Sequence, residues 1–108
     1  MTRRQYDIWY AYFRYSDEDD GKERPVLVLD PGEYFSLSAE ITSHEPRNNY
    51  VGEVRIIEWK AANLKNPSTV RLSQKLDLTD FDFTKRIGRL QPVDIQNVRD
   101  ALKVLNDI

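Results

Sequence analysis

The segment that most constrains the fold is residues 7–15, Asp-Ile-Trp-Tyr-Ala-Tyr-Phe-Arg-Tyr, whose aromatic residues predict a β-strand. Alternate side chains of a strand point to opposite faces, and here both faces would be largely apolar. One face carries Ile8, Tyr10 and Tyr12, and the other carries Trp9, Ala11 and Phe13. A strand that is apolar on both faces has to be covered on both, which favours a barrel or sandwich over an open sheet.

Further short apolar segments, separated by turn residues, predict a mainly β chain. The predicted strands are 26–29, 34–42, 50–58 and 69–72, with a loop at 16–24, a helical turn at 59–64 and a 3₁₀ turn or edge strand at 77–83. Pro25 is expected to open the second strand, where a missing N–H is tolerated. The loop before it begins with an acidic run at 17–20, which is interpreted as a solvated loop tip and not as a calcium loop.

The end of the chain predicts an amphipathic helix that begins at Pro92, since proline is favourable at the first helical position. Its apolar residues recur at helical spacing and form one stripe, which is expected to cover an open side of the sheet. The stripe consists of Ile95, Val98, Ala101, Leu102 and Leu105. Asp94 is in the first turn, where the helix dipole favours negative charge, and it is expected to lie off the stripe.

The chain has 108 residues, which predicts one domain spanning 1–108. It has no cysteine and a single histidine, so thiolate and multi-histidine metal sites are excluded, whereas a carboxylate-only site is not. The prediction for the chain is that it uses no metal or cofactor. No apolar run reaches the ~20 residues of a membrane-spanning helix, and no signal peptide is recognisable. We therefore expect a cytoplasmic protein. The net charge of −2 is unusual for a nucleic-acid binder, so any phosphate contact would need a local basic cluster.

Five blocks of the sequence, in order, resemble the MazF/PemK toxin family. They are Asp7-Ile8-Trp9-Tyr10-Ala11-Tyr12-Phe13, Gly21-Lys22-Glu23-Arg24-Pro25-Val26-Leu27-Val28-Leu29, Ala39-Glu40-Ile41-Thr42-Ser43, Asn66-Pro67-Ser68-Thr69-Val70 and Arg86-Ile87-Gly88-Arg89-Leu90. The sequence departs from the family pattern at Tyr6, where glycine is common, and at Tyr12. It departs again at Glu40, where the family usually has proline, and in the acidic loop before Arg24.

The resemblance implies a small SH3-like β-barrel of the CcdB/MazF/PemK type with a C-terminal helix, and a homodimer. It also implies a metal-independent endoribonuclease toxin that cuts single-stranded RNA by attack of a ribose 2′-hydroxyl on the adjacent phosphate. A cognate antitoxin protein would hold the toxin inactive. Matched by motif, Arg24 and Thr42 correspond to the family's catalytic arginine and hydroxyl residue.

The chemistry of these residue types fits those roles, although each also has a structural explanation. Arg24 could hold phosphate oxygens and stabilise developing charge, or it could pair with the acidic run. The Thr42 hydroxyl could donate to phosphate, or it could cap a turn at a strand end.

Four further residues are candidates for substrate binding: Lys22, Ser43, His44 and Arg47. Imidazole is a natural general base near pH 7, but a solvated polar loop would have the same composition as residues 43–49.

Two other functions remain open at this point. One is a non-catalytic relative that binds RNA or protein, which the negative net charge favours. The other is a gyrase poison of the CcdB type, which shares the barrel but depends on a distinctive C-terminal end that this sequence lacks.

Overall fold

A computed structural model describes residues 2–13, 22–46 and 52–106 of the chain. The elements are β1 (Asp7–Phe13), β2 (Lys22–Asp30), β3 (Phe35–Thr42), β4 (Glu53–Arg55), β5 (Thr69–Thr79), β6 (Phe83–Arg89) and α1 (Pro92–Asn106). The predicted acidic run at 17–20 and the second half of the predicted loop at 43–49 lie outside the described residues.

The six strands form one antiparallel sheet in the order β4-β5-β3-β2-β1-β6. The prediction of a mainly β chain with a C-terminal helix is confirmed. Closure into a barrel would require β4 to pair with β6, and no such pairing is present in the described parts of the chain. The sheet is therefore open at both edges, and the predicted barrel is not confirmed.

Both faces of the central strands are nevertheless covered, as the composition of β1 predicts. Ile8 belongs to a core cluster that includes Leu27 and Val98, on the side of the sheet that α1 covers. Trp9 and Ala11 belong to a second cluster on the opposite side. Tyr12 is an exception at 51% exposure, because the covering of that face ends before it.

Helix α1 spans the predicted range and packs its predicted stripe on the sheet. Val98 is completely buried, and the other four residues of the stripe contact the same core cluster. The prediction that Asp94 lies off the stripe is wrong, because Asp94 is also completely buried. Its carboxylate accepts the backbone N–H groups of Ile57 and Glu58, at 2.7 and 2.9 Å.

The predicted helical turn at 59–64 is confirmed as part of a longer turn over 57–63. Ala62 donates its N–H to the carbonyl of Glu58, as in an α-helix, and the turn ends at Asn63 with φ of 69°. The turn lies directly on β6, where a Cβ at Gly88 would be 2.2 Å from the Ala62 carbonyl oxygen. Only glycine permits this close approach.

Strand β6 was not predicted. Residues 77–83, predicted as a 3₁₀ turn or an edge strand, form the end of β5, a turn and the first residue of β6. At the far side of the sheet, Arg3 stacks on the rings of Phe83 and Trp9, with its guanidinium carbon 4.2 and 5.7 Å from the ring centroids. It also pairs with Asp80. Burial lowers the pKa of Arg3, because its charge has lost part of its contact with water.

Candidate active site

An open cavity of about 350 Å³ lies where β2 and β3 separate. Its lining comes from β1, the first half of β2, the end of β3 and the segment that leads into β5. The lining residues are Tyr10, Arg24, Pro25, Glu40, Ile41, Thr42, Ser43, His44, Leu64, Lys65, Asn66 and Ser68. Four of the six candidates named from the sequence are among them.

The separation of the two strands begins at Pro25. Strands β2 and β3 pair from Val26 with Glu40, and no pairing precedes that one among the described residues. The Val28 carbonyl accepts a hydrogen bond from the N–H of Tyr6 and therefore points to the β1 side of β2. Because the backbone groups of successive residues point to alternate sides of a strand, the nitrogen of Pro25 points to the other side, toward β3. Proline has no N–H to donate there, and the ladder therefore stops. The prediction that Pro25 opens β2 is wrong, since β2 begins at Lys22. Pro25 is instead the last residue before the pairing with β3 begins.

Arg24 and Thr42 lie on opposite walls of the cavity. Val26 pairs with Glu40 in the antiparallel register. Two residues farther along each strand, the same register places Arg24 across from Thr42. Strand alternation also places both on the same face of the sheet. Both side chains are half-buried, which leaves them in contact with solvent. The sequence thus brings a guanidinium and a hydroxyl to one solvent-open gap.

Thr42 also caps a turn, which is the structural explanation considered above. Its Oγ1 accepts the backbone N–H of His44 at 3.3 Å. A hydroxyl that accepts through one lone pair can still donate its own hydrogen, so the cap is compatible with a bond to phosphate. The turn directs Ser43 and His44, both exposed, along the rim of the cavity.

The other two candidates are not in the lining. Lys22 is exposed at the start of β2, on the same face as Arg24 by strand alternation but outside the cavity. Arg47 lies outside the described residues.

Glu40 is a charged lining residue to which the sequence analysis assigned no role. It is only 5% exposed, and its Oε2 lies 3.5 Å from Nη1 of Arg71 on the neighbouring strand β5. The departure from the family pattern at Glu40 marked the position as unusual. Its place in the cavity follows from the register, which pairs Glu40 with Val26 and with Arg71.

The third wall, residues 64–68, was also missed as a functional segment. It follows the turn at 57–63, which Asp94 holds by its two hydrogen bonds. Within it, Ser68 donates from Oγ to the Asn66 carbonyl at 2.8 Å. Lys65 is exposed and adds a second positive charge to the lining.

The lining is net positive although the chain is net negative. Among its described residues Arg24 and Lys65 are cationic and Glu40 is anionic, and the charge of Glu40 is offset by Arg71 behind it. Such a local cluster can attract phosphate in spite of the overall charge. No group of three or more acidic or histidine side chains suited to a metal ion occurs in the described segments.

Comparison with known proteins points to one family. The profile of the PemK-like, MazF-like toxins of type II toxin–antitoxin systems matches residues 4–105. The Mycobacterium tuberculosis toxin MazF-mt6 has a similar fold, with a TM-score of 0.75, 22% identity and coverage of 94% of this chain and 97% of that one. An Mtb toxin solved by crystallography has a TM-score of 0.62 and 22% identity, over 74% of this chain and 89% of that one. No curated protein sequence matches, and no helix in the described parts of the chain is long and apolar enough to cross a membrane.

Proposed function

The chain belongs to the PemK-like, MazF-like toxin family of type II toxin–antitoxin systems, and from this premise we propose that it is a metal-independent endoribonuclease that cuts single-stranded RNA. The observation that carries the proposal is that Arg24 and Thr42 line one solvent-open cavity from opposite walls. Selectivity for a base sequence would arise from the loops around that cavity, because unpaired bases are read by stacking and hydrogen bonds.

In the proposed reaction a ribose 2′-oxygen attacks the adjacent phosphorus and the bond from phosphorus to the 5′-oxygen breaks. The products are a 2′,3′-cyclic phosphate and a free 5′-hydroxyl. Negative charge builds on the phosphoryl oxygens in the transition state, and a bidentate guanidinium at Arg24 would stabilise it. Thr42 would donate its hydroxyl hydrogen to one of the same oxygens.

The substrate-binding roles follow from position around the cavity. Ser43 and His44 border the site of the reacting phosphate, and Lys65 supplies a cation on the third wall. Lys22, which is outside the lining, is proposed to contact a phosphate farther along the RNA strand. Arg47 is also proposed to contact phosphate, on the basis of its charge and its place in the sequence just after His44. Each contact would add to the salt dependence of binding. The half-buried ring of Tyr10 lies in the same lining and could stack on a base.

We further propose that the active form is a cytoplasmic homodimer and that a cognate antitoxin holds it inactive. Type II systems pair a toxin with a protein antitoxin, and an acidic antitoxin segment would be attracted by the net positive lining of the cavity. A two-fold dimer would bring two copies of the cavity together for one RNA or one antitoxin.

A second function, RNA or protein binding without cleavage, is favoured by one observation. Glu40 puts a buried carboxylate into the lining, and a negative charge there opposes the approach of a phosphate to be cleaved. The gyrase-poison alternative has no such observation in its support.

The test is cleavage of single-stranded RNA by the purified chain in the presence of EDTA, with the ends of the products identified. Wild type is expected to leave a 2′,3′-cyclic phosphate and a 5′-hydroxyl. Arg24→Ala and Thr42→Ala should each lower the rate at least about a hundredfold. Arg99→Ala is the matched control, because it removes the same charge from an exposed position on α1 and should leave the rate unchanged.

Two results would contradict the proposal. Cleavage by Arg24→Ala at the wild-type rate would remove the assigned site. Binding of RNA by the wild-type chain without cleavage in any sequence would support the non-catalytic alternative.

A further inference from the structure

The mechanism described so far has no group that accepts the proton of the attacking 2′-hydroxyl. Arginine is a poor base, because its guanidinium stays protonated at any relevant pH. The threonine hydroxyl is used as a donor to phosphate. A nucleophilic hydroxyl that is hydrogen-bonded to a positioned base loses its proton more readily in the transition state.

Glu40 is the carboxylate in the described cavity lining, and in the register of the strands it lies next to the pair formed by Arg24 and Thr42. It is two residues before Thr42 on β3, on the same face. It pairs with Val26, which is two residues after Arg24 on β2, so Arg24 is its diagonal neighbour. Diagonal neighbours of a sheet are within reach of long side chains. A phosphate held by Arg24 and Thr42 would therefore have its ribose beside Glu40.

The cationic groups around Glu40 come from every element that borders it. Arg71 faces it from β5 at 3.5 Å, and Arg24 faces it from β2. Lys65 lines the same cavity from the segment that leads into β5. Positive charges near a carboxylate attract its ionised form, and that is the form that can accept a proton.

We propose that Glu40 is the general base of the reaction, an inference that rests on the proposed ribonuclease function. The 2′-hydroxyl proton moves to the Glu40 carboxylate while the 2′-oxygen forms its bond to phosphorus. The bond from phosphorus to the 5′-oxygen breaks, and its electron pair stays on that oxygen. His44, at the rim of the cavity, donates a proton to it, since imidazolium can release a proton near neutral pH. Water afterwards returns the proton on Glu40 to His44.

The competing explanation is that Glu40 only neutralises Arg71 in the sheet. Three variants separate the two: Glu40→Gln, Arg71→Gln and the double variant. If Glu40 is the base, Glu40→Gln lowers the single-turnover cleavage rate by about 10²–10⁴-fold, and the double variant is equally slow. Arg71→Gln, which keeps the carboxylate but removes its neighbouring cation, should cleave more slowly than wild type and at least about tenfold faster than the double variant.

Binding is measured in parallel with a 2′-O-methyl RNA that cannot be cleaved. Glu40→Gln should bind it about as well as wild type, because a base contributes to the transition state and not to ground-state binding. If Glu40→Gln does not fold because Arg71 has lost its ionic partner, the comparison of Arg71→Gln with the double variant decides whether Glu40 is the base. Both of these variants lack the cation of Arg71, and only the first has the carboxylate of Glu40.

An RNA with sulfur in place of the bridging 5′-oxygen tests the direction of proton transfer. A thiolate leaves without a proton, so His44→Ala should be slow on ordinary RNA and recover to within about tenfold of wild type on this substrate. Glu40→Gln should stay slow on both substrates, since the 2′-hydroxyl still has to lose its proton.

The inference is overturned if Glu40→Gln cleaves ordinary RNA within tenfold of wild type, or if the double variant regains the rate of Arg71→Gln. It is also overturned if the sulfur substrate rescues Glu40→Gln. These outcomes leave the ribonuclease proposal intact, provided that Arg24→Ala is inactive. Absence of cleavage by wild type would instead overturn the ribonuclease proposal, and this inference with it.

Discussion

The carboxylate of Asp94, in the first turn of α1, accepts the backbone N–H of Ile57 at 2.7 Å and so ties the helix to the turn that precedes the cavity wall. The second oxygen accepts the N–H of Glu58 at 2.9 Å. Both donors come from the start of the turn at 57–63, whose end leads into residues 64–68. A helical side chain thus positions one side of the candidate active site, although it is not in the lining.

Replacement of Asp94 by alanine is expected to lower the free energy of unfolding by about 3 kcal/mol, because two backbone donors lose a charged acceptor in a buried place. Urea unfolding measures this loss. Asp100→Ala is the control: this carboxylate is exposed on the same helix, and its partner among the described residues is the side chain of Gln96, so its removal should change stability by less than about 0.5 kcal/mol. Equal losses in the two variants would refute the role of Asp94.

Matched substitutions at Thr42 test both its role in capping the turn at His44 and the proposed catalytic role of its hydroxyl. Thr42→Val keeps the shape and removes the oxygen, so it should lose the bond from the His44 N–H and reduce RNA cleavage by about 10²–10³-fold. Thr42→Ser keeps the oxygen and should retain cleavage within about tenfold of wild type. Comparable rates for the valine and serine variants would show that the hydroxyl has no part in the reaction.

Substitutions of Arg3 and of its ionic partner Asp80 test whether stacking or ion pairing holds the N-terminal segment on the sheet. Its guanidinium lies 4.2 Å from the centroid of the Phe83 ring, and its side chain is only 8% exposed. Arg3→Ala should therefore lower the free energy of unfolding by about 2 kcal/mol through lost stacking and packing. Asp80, its ionic partner, is 65% exposed, so Asp80→Asn should lower it by less than about 0.5 kcal/mol. Thermal unfolding would show nearly equal losses in the two variants if the ion pair were the dominant contact, because both variants remove it.

Periodicity predicted the parts of the fold that depend on local pattern. The apolar stripe of α1 and the two apolar faces of β1 are both visible in the sequence, because side-chain direction there follows from helix or strand geometry alone. Strand β6 was missed because its sequence, Phe-Thr-Lys-Arg-Ile-Gly-Arg, is mostly charged or polar. It becomes a strand by pairing with β1, which is a contact between the two ends of the chain.

The burial of Asp94 was missed for a related reason. An acidic residue in a first helical turn is expected at the surface, where the dipole alone explains it. Its burial depends on two backbone donors supplied by a turn more than thirty residues earlier in the chain, and no local pattern shows that turn arriving there.

In the candidate site, the resemblance to a family selected Arg24 and Thr42, and the register explains why they meet. Glu40 and Lys65 could not be selected in the same way. Neither belongs to a recognisable chemical motif, and each reaches the cavity only through the pairing of β3 with its neighbours or the path of the turn at 57–63.

The proline at position 25 has a consequence for how a ligand would enter. A gap between two strands normally tends to close, because each strand offers the other a row of donors and acceptors. Here the residue at the position where pairing would continue is proline, which has no N–H to donate. Closing the gap would therefore form few hydrogen bonds between the two strands. The cleft exists before anything binds in it, and an incoming nucleotide would not have to separate hydrogen-bonded strands to be admitted.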